Sequence, residues 1–119
     1  MIGNTLENTP LKIAIVAGER SGDELGAPLM KSLKSINPSI EFVGVGGSKM
    51  TAEGLESYFD MSEISVMGII EPLLNLRKLL KLRKGLKKYL HHQKPDIFIG
   101  IDSPDFNLPI ANFLKKNLQ

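Results

Sequence analysis

Short apolar runs alternate along the chain with longer stretches in which apolar residues recur every three or four positions. The runs predict strands buried on both faces of a parallel sheet, and the recurring spacing predicts amphipathic helices. The predicted strands are 11–17, 42–45 and 97–102, with short extended pieces at 57–59 and 64–66. The predicted helices are 21–35, 48–54, 72–92 and 109–118.

Strands that alternate with helices favour an α/β fold, with an open, mostly parallel sheet and flanking helices. The 119 residues suffice for one ordinary domain, which we place at 11–119 after a flexible polar lead-in at 1–10. Ser21 and Glu24 have the spacing of a capping box, which predicts where the first helix begins.

The composition narrows the possible chemistry. The sequence has no cysteine, which removes disulfides, thiol catalysis and thiolate metal sites. The adjacent His91 and His92 are expected to end a helix, and the Asp-x-x-Asp spacing at 102–105 does not define a metal site, so no metal or other cofactor is predicted. No signal peptide is expected, and no apolar stretch is long enough to predict a membrane-spanning segment.

The charge is distributed unevenly around a formal net value of +2, with a balance of −5 over 1–71, +8 over 72–94 and −1 over 95–119. The predicted helix 72–92 carries basic residues on one side and leucines on the other. Such a helix is a candidate for binding an anionic membrane surface. A core helix with a solvated basic face is the alternative. Nucleic acid is not predicted as a partner, because Tyr89 is the only aromatic residue in this segment.

Two glycine-containing motifs follow the first two strands, at the edge where parallel sheets bind ligands. The motif at 18–23 leads into a helix whose free N–H groups suit an anion, and the motif at 44–47 allows a close backbone approach. The plainer alternatives are a turn with a helix cap for the first motif and a tight turn for the second. The first motif lacks the spacing of a dinucleotide fingerprint and of a P-loop, which disfavours those sites.

The third motif, at 100–107, places Asp102, Asp105 and Asn107 around the end of an apolar strand. Burial and a neighbouring carboxylate both raise a carboxyl pKa, and a general base working near neutral pH needs such a shift. A carboxylate that only caps a turn is the alternative.

Taken in order, the motifs resemble those of the lipid-A-disaccharide synthases. The matching stretches are 17–23, 42–47 with Met50 and 53–54, 65–68 with Glu71, and 95–96 with 102–107. The resemblance implies a Rossmann-like N-terminal domain of a GT-B type glycosyltransferase. In that architecture the N-terminal domain takes the acceptor and a C-terminal domain holds the nucleotide sugar.

The resemblance also implies the reaction, which transfers diacylglucosamine from UDP-2,3-diacylglucosamine to 2,3-diacylglucosamine 1-phosphate (lipid X). The products are lipid A disaccharide 1-phosphate and UDP, with inversion at the donor sugar. Asp102 matches the family's proposed general base, and Asp105 and Asn107 would orient the site. The first loop would line the substrate cleft through Gly18, Glu19, Ser21, Gly22 and Asp23.

A membrane patch is implied as well, which would place the protein peripherally on the cytoplasmic face of the inner membrane. Its residues are Ile70, Leu73, Leu76, Leu79 and Leu80. Pro72 departs from the aliphatic residue expected there.

The length departs from the resemblance, because the nucleotide-binding half is absent from these 119 residues. We therefore expect the chain alone not to transfer sugar. A non-enzymatic module that binds the acceptor lipid or a membrane surface is the second hypothesis. An unrelated nucleotide-binding α/β domain is a third, disfavoured by the missing phosphate-loop spacings.

Overall fold

A computed structural model describes residues 10–65 and 72–118, with the backbone alone at 72–75. Its strands are β1 (Leu11–Ala17), β2 (Ile40–Val45), β3 (Glu56–Ser57) and β4 (Ile97–Ile101). Its helices are α1 (Arg20–Ile36), α2 (Ser48–Ala52), α3 (Pro72–Gln93) and α4 (Pro104–Leu118), and residues 62–65 form a short helical turn. Most of the predicted lead-in, residues 1–9, lies outside the described residues.

The described strands form one parallel sheet in the order β3-β2-β1-β4. In the register, Ile13 of β1 pairs with Phe42 of β2 on one side and with Ile97 of β4 on the other. A strand that pairs on both sides and is covered on both faces must be apolar where it is covered, as β1 is from Ile13 to Ala17. The predicted open parallel α/β sheet is confirmed.

The two faces of β1 pack against different helices. Ala14 and Val16 belong to a cluster formed with α3 and α4, through Leu86, Leu90, Phe106, Ile110 and Leu114. Ile13, Ile15 and Ala17 belong to a cluster formed with α1 and α2, through Ala27, Met30 and Met50. Because side chains alternate along a strand, this single apolar run builds two core layers, one on each side of the sheet.

Helix α4 begins at Pro104, five residues before the predicted start at Pro109. A first helical position suits proline, because the N–H that proline lacks would have no intrahelical partner there. Pro109 lies inside the helix and cannot donate to the carbonyl of Asp105, four residues back. Arg83 of α3 donates a guanidinium N–H to that carbonyl at 2.8 Å, so the carbonyl still accepts a hydrogen bond.

The predicted extended piece at 64–66 is wrong at Ile64 and Ser65, which lie in the helical turn, and Val66 lies outside the described residues. Ile64 is buried in the core cluster of α3 and α4. Asp60 begins this turn, and its Oδ1 accepts the N–H of Ser62 at 2.9 Å. An aspartate in that position favours a helical start over a strand. The other predicted piece, at 57–59, is a strand only at Ser57.

Candidate functional site

The ends of three neighbouring strands bring the polar motifs together. Carboxyl ends of parallel strands share one edge of a sheet, so the segments that follow Ala17, Val45 and Ile101 are neighbours. The first turn of α1 contacts both other segments, since Ser21 reaches the segment after β4 and Asp23 reaches the segment after β2. The three predicted motifs therefore form one site.

The segment after β4 turns through two residues with left-handed backbone. The φ angles are 55° at Asp102 and 44° at Ser103. This conformation costs an L-residue roughly 1–2 kcal/mol, although aspartate adopts it more readily than most. Strained residues of this kind persist only where surrounding contacts hold them, and they cluster at functional sites.

Two side chains hold this turn. The amide Nδ2 of Asn107 donates to the carbonyl oxygens of Asp102 at 2.8 Å and Val16 at 3.4 Å. Asn107 is only 4% exposed, and among the described residues its Oδ1 has no hydrogen-bond partner. The hydroxyl of Ser21 donates to Oδ2 of Asp102 at 3.3 Å. Asp102 is therefore held through both its backbone and its carboxylate.

The carboxylates of the third motif face solvent. Asp102 and Asp105 are both exposed, so neither carboxylate has the burial predicted as one condition for a general base. An exposed carboxylate remains within reach of a substrate hydroxyl, which is the first geometric requirement of a general base. In the described part of the chain, these carboxylates join no group of three acidic or histidine side chains that could hold a metal ion.

Asp23 has the opposite environment. It is 4% exposed, and its Oδ1 accepts the backbone N–H groups of Gly47 and Met50, each at 2.9 Å. Its Oδ2 accepts the N–H of Lys49 at 3.1 Å. A buried charge can be satisfied by such donors, which here belong to the start of α2. The structure thus places Asp23 as a tie between α1 and the exit of β2.

The capping box predicted at Ser21 and Glu24 is not formed. The N-cap of α1 is Glu19, which makes no side-chain capping hydrogen bond. Glu24 pairs instead with the ammonium group of Lys49 at 3.6 Å. The hydroxyl of Ser21 donates to Asp102 and therefore contacts the candidate site instead of capping the helix.

The glycines of the first two motifs lie in tightly packed positions. A Cβ at Gly18 would lie 2.8 Å from Oγ of Ser103, and a Cβ at Gly22 would lie 3.0 Å from that of Ala17. A Cβ at Gly47 would lie 2.6 Å from an oxygen of Asp23. These glycines allow the loops to pack against one another. This favours the tight-turn alternative over a close backbone approach to a ligand.

An apolar cleft of about 340 Å³ opens beside the Asp102 turn. Ile64 and Phe106, both buried, form its floor, and Leu79 of α3 forms one wall. More exposed polar residues stand at its rim: Glu19, Ser65 and Asp105. Sequence reasoning missed this cleft, since Ile64 was expected in a strand and Phe106 before the start of the last helix.

Helix α3 presents a basic surface. Its leucines Leu86 and Leu90 are fully buried, which anchors the second half of the helix to the sheet. The basic residues predicted to share one side are all exposed: Arg77, Lys78, Lys81, Lys84 and Lys88. Within the described ranges, no helix is long and apolar enough to cross a membrane.

The residues of the predicted membrane patch point in different directions. Leu76 and Leu80 are 47% and 43% exposed, whereas Leu79 packs against the core. Ile70 lies outside the described residues, and so does the side chain of Leu73. The described part of the patch is therefore a pair of outward leucines, which we call the α3 leucine pair (Leu76 and Leu80).

Comparison with known proteins points to one family. The model of the lipid-A-disaccharide synthetase family matches residues 13–119. A lipid-A-disaccharide synthase of Pseudomonas fluorescens (strain Pf0-1) is 62% identical over 106 residues, which are 89% of this chain and 28% of that protein. Proteins of the same name from Aliivibrio fischeri (strain MJ11) and Escherichia coli O8 (strain IAI1) are each 54% identical, over 91% and 92% of this chain and 28% and 29% of their own lengths. The chain therefore spans less than a third of these relatives.

Proposed function

We propose that this chain, which belongs to the lipid-A-disaccharide synthetase family, forms the acceptor side of a glycosyltransferase of lipid A biosynthesis. The reaction transfers diacylglucosamine from UDP-2,3-diacylglucosamine to lipid X and releases UDP. The nucleotide sugar would be bound by a second half of the protein, since the chain corresponds to 28% of the Pseudomonas fluorescens relative.

Asp102 acts as the general base in this proposal. Its carboxylate removes the proton of the acceptor hydroxyl while that oxygen forms a bond to the anomeric carbon of the donor. The bond from that carbon to the β-phosphate oxygen of UDP breaks, and UDP leaves with the electron pair. Attack on the face opposite UDP inverts the anomeric carbon, so no covalent intermediate with the protein is required.

The observation that carries this proposal is the way Asp102 is held. Its backbone is fixed by the buried Asn107, and its carboxylate is oriented by Ser21 while remaining exposed. A base positioned before the substrate arrives lowers the entropic part of the barrier. Asp105 and Glu19 are exposed close by, where a carboxylate accepts hydrogen bonds from sugar hydroxyls, and we assign them no role in proton transfer.

A chimaera tests the proposal. These 119 residues replace the matching 28% of the Pseudomonas fluorescens relative, and formation of the disaccharide is measured from both lipid substrates. We expect turnover in the chimaera and a loss of about a hundredfold to ten-thousandfold in kcat with Asp102→Asn. Glu41→Gln is the control, since it removes an exposed carboxylate near the start of β2, at the end of the strands opposite to the site.

Two results would contradict the proposal. Unchanged kcat in the Asp102→Asn chimaera would remove Asp102 as the base. Turnover by the isolated chain, abolished by Asp102→Asn, would show that no second half is needed. A chimaera that binds lipid X but forms no disaccharide would instead favour a non-enzymatic acceptor-lipid module.

We further propose that α3 attaches the protein to the anionic surface of a membrane, on the cytoplasmic face of the inner membrane. The support is the α3 leucine pair beside five exposed basic residues on the same helix. Apolar insertion and attraction to anionic lipid act together on such a helix, and the second contribution weakens as salt rises.

Vesicle flotation tests this attachment. With vesicles of phosphatidylcholine and phosphatidylglycerol, we expect Leu76→Ser combined with Leu80→Ser to weaken binding by at least about tenfold, since roughly half of each leucine is exposed. Leu25→Ser combined with Leu108→Ser is the control, because those leucines are more exposed and lie on other helices. Equal losses in both double variants would contradict a membrane face on α3.

A further inference from the structure

We infer that the apolar cleft beside the Asp102 turn binds an acyl chain of the acceptor lipid. This inference rests on the proposed function and adds a subsite to it. The cleft is the 340 Å³ space described above, with Ile64, Leu79 and Phe106 as its apolar surfaces.

The cleft begins one residue from the proposed base. Ser103, which lines it, directly follows Asp102, and a Cβ at Gly18, which also lines it, would lie 2.8 Å from the hydroxyl oxygen of Ser103. In lipid X the acyl chains are attached to the same sugar that carries the reacting hydroxyl. An acceptor hydroxyl placed at Asp102 therefore brings an acyl chain to the mouth of the cleft.

The surfaces of the cleft suit a hydrocarbon chain. Its floor is part of the core, since Ile64 is 6% and Phe106 is 3% exposed, and Pro104 adds further apolar surface. The polar residues stand at the rim, where a sugar headgroup would meet water. A methylene chain needs apolar surroundings and forms no hydrogen bonds, whereas a peptide segment in the same cleft would need partners for its own N–H and C=O groups.

Helix α3 connects the cleft to the surface proposed to face lipid. Leu79 lines the cleft, and the α3 leucine pair flanks it in sequence on the exposed side of the helix. Arg83, one turn further along, donates to the carbonyl of Asp105 at 2.8 Å and so ties α3 to α4 across the cleft. An acyl chain that leaves the membrane at these leucines reaches the cleft along apolar side chains.

Binding of short-chain analogues to the 119-residue chain tests the inference. The probes are glucosamine 1-phosphate and a series of water-soluble lipid X analogues whose acyl chains lengthen by one methylene at a time, and affinity is measured by calorimetry. We expect the affinity to rise about fourfold per methylene until the cleft is full, which is the effect of burying one methylene group.

Variants that fill the cleft test whether the acyl chain binds there. Leu79→Phe and Ser65→Leu narrow the cleft from two sides, and each should weaken the longest analogue by at least about tenfold while leaving glucosamine 1-phosphate unaffected. Leu76→Phe is the matched control, since the same replacement three residues earlier lies on the exposed surface. Thermal melting identifies a variant that fails to fold, and the second variant then decides.

The outcomes separate the two proposals. Affinity that does not depend on chain length, or a dependence unchanged in both cleft-filling variants, would overturn the acyl subsite and leave the acceptor function standing. Absence of binding by every analogue to the unaltered chain would overturn the acceptor function and the subsite together.

Discussion

Asp23 and Asp102 follow two adjacent strands of one sheet, and both were predicted for the site, yet the structure uses them in opposite ways. Asp23 is buried and accepts three backbone N–H groups from the exit of β2. Asp102 is exposed, lies on a left-handed turn and accepts one hydroxyl, from Ser21. A carboxylate whose oxygens are occupied by backbone donors holds loops in place, whereas one left exposed on a strained turn remains available for chemistry.

The largest expected difference between these residues is in stability. Asp23→Asn should lower the free energy of unfolding by about 2–3 kcal/mol, since an amide nitrogen would face backbone donors that the carboxylate accepts now. Asp102→Asn should change it by no more than about 0.5 kcal/mol, because the residue is exposed and asparagine tolerates the same backbone. Urea unfolding of both variants measures the difference. Similar losses of stability would contradict the structural role that we assign to Asp23 alone.

An intermediate effect is expected at Asn107, which supports the Asp102 turn from below. Asn107→Ala removes the hydrogen bonds to the carbonyls of Asp102 and Val16, and we expect a loss of about 2 kcal/mol. Asn117→Ala in the same helix is the control, because its amide is exposed and donates to the carbonyl of Phe113, one turn earlier in the helix. The control should lose less than about 0.5 kcal/mol in the same urea titration. Equal losses in the two variants would mean that the Asp102 turn does not depend on Asn107.

The smallest effect has the opposite sign. Ser103→Gly should raise the free energy of unfolding by about 1 kcal/mol, because glycine adopts a φ of 44° without strain. Ser32→Gly, inside α1, should lower it by about 0.5 kcal/mol, because glycine has a lower helix propensity than serine. Thermal melting compares the two variants. If Ser103→Gly is destabilising, the contacts of the serine side chain stabilise the fold by more than its left-handed backbone destabilises it.

Most of the fold could be predicted from the sequence, because its determinants are local. The apolar run of β1 and the leucine spacing of α3 survive in the structure with nearly the predicted bounds. The start of α4 was misplaced because Pro109 was expected to begin a helix, whereas it lies inside one. The carbonyl of Asp105 that Pro109 leaves without a helical donor accepts from Arg83, a contact between residues 22 positions apart. Ile64 was misplaced for a similar reason, as its short turn is buried by tertiary packing.

The sequence predicted which motifs form the site, but it did not predict which carboxylate is buried and which is exposed. Strand ends in a parallel sheet share one edge, so the meeting of Asp102, Asn107 and Ser21 follows from the topology. The separate environments of the carboxylates do not follow from it. Burial of Asp23 depends on the backbone of α2, more than twenty residues along the chain, and exposure of Asp102 depends on the turn it adopts.

The contact between Asp23 and Gly47 makes one unit of two distant positions in the sequence. A Cβ at position 47 would lie 2.6 Å from a carboxylate oxygen of Asp23, and its nearest neighbours are the carboxylate atoms themselves. A side chain at 47 is therefore compatible with this fold only in a protein that has a smaller residue at 23. Across relatives, a residue other than glycine at 47 should therefore occur together with a residue smaller than aspartate at 23, whereas a smaller residue at 23 is compatible with glycine at 47.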